Sequence, residues 1–63
     1  MRKLKLDKET GIRTVYSGST PTGMLVLPSP FGAGWCVYDS NEERVIVVYK
    51  TLGEAGKAAK AMA

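Results

Sequence analysis

The stretch WCVYDSNEERVIVVYKTLGEA, residues 35–55, contains two strand-like runs, a polar turn between them and the first turn of a helix. Trp35–Asp39 and Arg44–Tyr49 are rich in aromatic and β-branched residues, and Ser40–Glu43 is wholly polar, which is the pattern of an antiparallel hairpin. A four-residue loop or a tighter two-residue turn gives the same pairing, with Asp39 opposite Arg44 and Val37 opposite Ile46. Trp35, Val37, Ile46 and Val48 then share one face, and Cys36, Tyr38, Val45, Val47 and Tyr49 share the other. The second set carries no charge. A hairpin with one wet face should alternate polar with apolar, so this one is expected to lie centrally, with something packed on each side.

The cover for one side is the C-terminal segment TLGEAGKAAKAMA, residues 51–63. Thr51 can accept from the N–H of Glu54 while Glu54 reaches back to the N–H of Thr51, a capping box. Leu52, Ala55, Ala59 and Met62 fall near one stripe of the helix, and Glu54, Lys57 and Lys60 on another. Gly53 and Gly56 each cost roughly 1 kcal/mol against alanine inside a helix. The expected return is close approach of the helix backbone to the sheet, over bulky residues such as Trp35. A helix of about 11 residues is marginal alone, so the sheet must hold it.

Upstream, KLKLD and IRTVY flank the turn signal DKETG. A type I turn through Glu9 and Thr10, with Gly11 left-handed, makes a three-residue hairpin loop with a bulge. That register sets Lys8 opposite Ile12, Asp7 opposite Arg13 and Leu4 opposite Tyr16. Leu4, Leu6, Ile12, Thr14 and Tyr16 would form the apolar face, and Lys3, Lys5, Asp7, Arg13 and Val15 a net basic one. SGSTPTG reads as a loop and Met24–Leu27 as a short buried strand. PSPFGAG is irregular, with Phe31 expected to pin it to the core; it is either a functional loop or a crossover that keeps Met24–Leu27 from pairing directly with the Trp35 strand.

At 63 residues the chain is one domain, 1–63, of a size that buries only about 60% of its unfolded surface. It has one cysteine and no histidine, which excludes an internal disulfide and the usual zinc sites. Cys36, in an apolar run, reads as a small buried hydrophobe with no base to activate it. Asp7, Glu9, Asp39, Glu42, Glu43 and Glu54 all fall in or beside turns or at the helix cap, with no pair placed for acid–base work. The chain is therefore expected to be non-catalytic, without cofactor or metal. The basic start is followed by no long apolar stretch, and nothing approaches the run of about 20 apolar residues that spans a bilayer. A cytoplasmic protein with no membrane partner is expected, encoded as a whole small open reading frame.

Net charge is +3, with a pI near 9.3. Arg2, Lys3, Lys5 and Arg13, joined by Lys8 at the hairpin tip, make a candidate nucleic-acid ribbon. Lysines on an edge strand also block edge-to-edge aggregation. Tyr16, Trp35, Tyr38 and Tyr49 have the chemistry to stack on bases, although their strand positions make them core residues first. The candidate protein interface is Phe31, Tyr38, Val45, Val47 and Tyr49, the uncharged hairpin face and the loop.

Residues 35–55 resemble hairpin–helix units in which an aromatic-led strand, a polar turn, a second strand and a Thr-x-x-Glu-Ala helix start come in that order. Trp35, Val37, Asp39, Tyr49, Thr51, Glu54 and Ala55 carry the likeness. Similar stretches occur in the arm-type DNA-binding domains of tyrosine recombinases, in small bacterial and phage domains, and in small phage proteins that inhibit host enzymes. In the recombinase domains a three-stranded sheet reads DNA and a helix backs it; here the hairpin has only Arg44 and Lys50 as basic residues. A second likeness is to small basic SH3-like barrels with a C-terminal helix that coat DNA, which are far richer in lysine. The resulting expectation is an α+β domain: a small bent antiparallel sheet or partial barrel of four to five strands, closed by one C-terminal helix. Its expected function is as a binding module of phage or bacterial origin for a protein partner or a second copy. Nucleic-acid binding through the first hairpin is the alternative.

Overall fold

Four reversals, each made by turn-forming residues, lay residues 1–49 out as a meander. The computed structural model describes residues 1–63, as β1 (Arg2–Leu6), β2 (Arg13–Ser17), β3 (Thr20–Pro28), β4 (Trp35–Asp39), β5 (Arg44–Tyr49) and α1 (Leu52–Met62). The five strands form one antiparallel sheet in the order β1-β2-β3-β4-β5, open at both edges, with α1 on one face. This is the expected α+β architecture, in its open-sheet form.

The first reversal departs from expectation by one residue. Asp7 N donates to Ile12 O at 2.9 Å and Gly11 N donates to Asp7 O at 2.8 Å, so the loop is Lys8–Gly11. Asp7 Oδ1 accepts from Glu9 N at 3.0 Å, which commits Asp7 to the turn rather than to Arg13. Gly11 is left-handed as expected, at φ 74°. Leu4 consequently pairs with Val15, Lys3 with Tyr16, Lys5 with Thr14 and Leu6 with Arg13. A slip of one residue turns a strand over: Val15 enters the core, and Tyr16 joins the lysines.

Gly18 (φ 64°) and Ser19 form a two-residue turn, so Thr20–Gly23 is strand rather than loop and β3 runs for nine residues. Its extra length is taken up in a bulge, where Val15 alone on β2 lies against Thr22, Gly23 and Met24. The third loop, Ser29–Gly34, is a hairpin connection and not a crossover. β3 and β4 pair directly, from Met24–Asp39 to Pro28–Trp35. Phe31 is 77% exposed and pins nothing.

In the last hairpin Asp39 faces Arg44 as expected, across a four-residue turn in which Asp39 Oδ1 accepts from Asn41 N at 2.9 Å. Beyond Tyr38–Val45 a bulge at Ile46 shifts the pairing to Val37–Val47, Cys36–Val48 and Trp35–Tyr49. The extra residue lets both Ile46 and Val47 pack against the core. Val47 and Tyr49 thereby fall on the face of Val37 and Trp35, the reverse of the expected arrangement. The hairpin is not central either, because β5 is an edge strand.

The core is one-sided. Val15, Met24, Val26 and Val37 from the sheet meet Ala55 and Ala59 from α1, with Leu4, Trp35, Ile46, Val47, Tyr49, Leu52 and Ala63 around them. Thr51 Oγ1 accepts from Glu54 N at 3.2 Å, and the hydroxyl donates to Glu54 Oε1 at 2.9 Å. The glutamate thus returns to the cap side chain and not to its backbone. Close packing explains one helix glycine only. A Cβ at Gly56 would stand 3.0 Å from Leu4 Cδ2, on β1 rather than near Trp35, while at Gly53 it would meet open space. Met62, expected in the stripe, is 45% exposed.

Unfolding by denaturant is expected to report this packing directly. Ala55→Leu or Ala59→Leu overpacks the seam and lowers stability by roughly 1–3 kcal/mol, whereas Gly53→Ala raises it by up to about 1 kcal/mol. Gly23 sits at φ 92°, and a Cβ there would run into the Asn41 side chain. Gly23→Ala is therefore expected to destabilise by about 1 kcal/mol or more.

Candidate docking face

With α1 on one side of the sheet, the other side has no covering element. Its composition is set by the register. Lys5, Thr14, Leu25, Tyr38 and Val45 form one continuous row across all five strands. Lys3, Tyr16 and Pro21 flank it on one side, and Leu27, Cys36 and Val48 on the other. None of Leu25, Leu27, Tyr38, Val45 and Val48 belongs to the core cluster under α1. The face therefore divides into a cationic end on β1 and an uncharged, apolar end on β3–β5.

The apolar end is irregular in depth. Cys36 is fully buried between its neighbours, Leu25, Leu27, Tyr38 and Val45 are half-buried, and Val48 is 43% exposed. Burial pushes the Cys36 thiol above its ordinary pKa, against the lowering effect of backbone hydrogen bonds at Cys36 and Leu27. It behaves as the small hydrophobe expected.

At the other end the Lys5 ammonium lies 5.9 Å from the centre of the Tyr16 ring, within the range of cation–π attraction. Open hollows flank this pair, one lined by Lys5, Leu6, Asp7, Lys8, Thr14 and Tyr16, the other by Lys3, Leu4, Lys5, Tyr16, Gly18 and Ser19.

The five cations of the expected basic ribbon are not brought together. Lys3 and Lys5 share the outer face, whereas Arg2 lies on the Leu4 side of β1 and Lys8 in the turn. Arg13 points to the helix side, where its guanidinium stacks 5.3 Å from the Trp35 ring. The register slip is the cause, because it turned β2 over. The candidate protein interface divides in the same way. Tyr38 and Val45 are on the outer face, Val47 and Tyr49 are packed under the helix, and Phe31 stands apart on its loop. Leu25, Leu27 and Val48, which sequence reasoning missed, complete the face together with Tyr16, which was expected on the apolar side of the first hairpin. The alternation in Met24–Leu27 places Leu25 and Leu27 on one side, but without the pairing partner that side has no name.

The acids make only local contacts. Asp7 and Asp39 hold turns, Glu54 accepts from the hydroxyl of the capping Thr51, and Glu42 pairs with Arg44 at 3.0 Å. No group of three or more histidine, cysteine or acidic side chains is placed to hold a metal ion, and no helix is long and apolar enough to cross a membrane.

Because the Cys36 pKa is raised on folding, the folded state keeps its proton where the unfolded thiol would lose it. Its contribution to stability is complete below the ordinary thiol pKa and is lost as pH rises through the higher folded value. Chemical denaturation measured from neutral to alkaline pH is expected to show this decline, and Cys36→Ala to flatten it.

Compared with known protein families, curated proteins and solved structures, the chain has no match.

Proposed function

We propose that this chain is a non-catalytic protein-binding module, an adaptor or inhibitor of phage or bacterial origin, that docks through the uncovered face of its sheet. One observation carries the reading. The outer side of β3, β4 and β5 presents Leu25, Leu27, Tyr38, Val45 and Val48 around the buried Cys36, with no charged side chain among them and no element over them. Contiguous apolar surface of this kind on a small domain marks an interaction site, and a tyrosine amid aliphatic residues is a common anchor in interfaces. A partner also answers the thinness of the core, since anything that binds only the folded state adds to its stability.

Nucleic-acid binding is the second reading, favoured by Lys3 and Lys5 beside the Tyr16 ring. It is the weaker one. Two lysines on a face neutralise about two phosphates, and affinity would then fall only about 12-fold between 50 and 200 mM salt.

A photoreactive amino acid at Tyr38, with one at Lys57 on the solvent side of α1 as control, separates the readings. The Tyr38 probe is expected to crosslink a discrete polypeptide in cells of the source organism, and Val45→Glu to abolish that product while circular dichroism stays unchanged. Equal products from both positions, or products containing only nucleic acid, would reverse the assignment. Retardation of DNA or RNA at low salt that disappears with Lys3→Glu and Lys5→Glu would favour the second reading.

A further inference from the structure

We infer that the free edge of β5 pairs antiparallel with the β5 edge of a second copy of this chain, giving a two-fold dimer with one continuous ten-stranded sheet. This inference concerns the edge of the sheet and stands apart from docking on its face.

The two edges are unlike. β1 carries Arg2, Lys3 and Lys5, all exposed, and cations on an edge strand deter pairing. β5 continues from Arg44 with Val45, Ile46, Val47, Val48 and Tyr49, without a charge, a proline or a glycine. That run has the composition most prone to strand addition. β5 is bonded to β4 on one side only, and no turn or loop hydrogen bond reaches its other side. The bulge at Ile46 twists the N-terminal half of the strand, while Val47–Tyr49 pairs regularly with β4.

Charge selects a second copy as the occupant. Antiparallel two-fold pairing sets the Ser40–Glu43 turn of one copy beside Lys50 of the other, at both ends of the junction. Glu42 is engaged by Arg44 at 3.0 Å, which leaves Glu43 and Lys50 without an ion-pair partner in their own chain. Their signs are opposite, and both are exposed. The same operation on β1, with Leu4 opposite Leu4, would set Lys3 opposite Lys5 and repel. Main-chain bonds supply the attraction in such strand addition, and the exposed charge pairs set the orientation more than the affinity. Pairing at β5 would also bring Val45 and Val48 of the two copies side by side on the outer face.

Sedimentation of the full chain over low-micromolar to millimolar concentration, with hydrogen exchange at both ends of that range, tests the inference. A monomer–dimer equilibrium is expected, with β5 amides gaining protection as the dimer forms. Val48→Lys places a guard on the edge and is expected to weaken association about tenfold or more. Glu43→Lys weakens it as well, and Glu43→Lys combined with Lys50→Glu restores it. These last sites are exposed, so the fold survives the exchange. A chain that stays monomeric throughout would overturn the inference. So would a dimer indifferent to Val48→Lys and to the charge exchange, which would assign association to another surface.

Discussion

The seam between the small-residue stripe of α1 and the valine row of the sheet supports everything else in the molecule. Ala55 and Ala59 are fully buried against Val15, Val26 and Val37, and Gly56 admits Leu4 from β1. An 11-residue helix does not persist alone in water, and a sheet with one face open lacks a core without it. Each element is therefore stable only through the other. No disulfide reinforces them, since Cys36 is the only cysteine. Small side chains suit this seam because a single short helix must reach the middle strands while also touching β1 and β5.

Spending the only helix on one face determines what the other can be. The outer face keeps a fully buried cysteine, yet leaves Val48 and the row through Leu25, Tyr38 and Val45 without a lid. Its two ends differ chemically, lysines beside Tyr16 over β1 and β2, uncharged aliphatic residues around Tyr38 over β3 to β5. Tension at the sheet edges is resolved in the same asymmetric way, with cations along β1 and none between Arg44 and Lys50. Polar satisfaction is handled locally. The last turn reaches back to the β3 bulge, where Ser40 N and Oγ both donate to Gly23 O and Asn41 Nδ2 donates to Thr22 O. No buried side-chain polar atom is left unpaired.

Much of the fold was legible because its signals are short-range. The helix start at Thr51, the left-handed Gly11, the Asp39–Arg44 pairing and the burial of Ala55 and Ala59 all depend on residues close in the chain. The candidate site was less legible, since it depends on which side of a strand faces the helix. One residue more in the Lys8–Gly11 loop turned Val15 inward and Tyr16 outward, and separated Arg13 from Lys3 and Lys5. One extra residue at Ile46 moved Val47 and Tyr49 under the helix. The face that remains contains only Tyr38 and Val45 of the expected protein interface.

Element type and order came from local chemistry: β-branched runs, polar turns, a capping threonine and an alanine stripe leave few alternatives. Strand register did not. Strand side chains alternate with a period of two, so register is chosen by which apolar set can be buried together, and that is a property of all five strands and the helix at once. Val15 and Tyr16 are both apolar enough for either side. Only the space beneath α1, which accepts a valine there and leaves the tyrosine beside Lys5, decided between them. The same packing decided which face stayed uncovered.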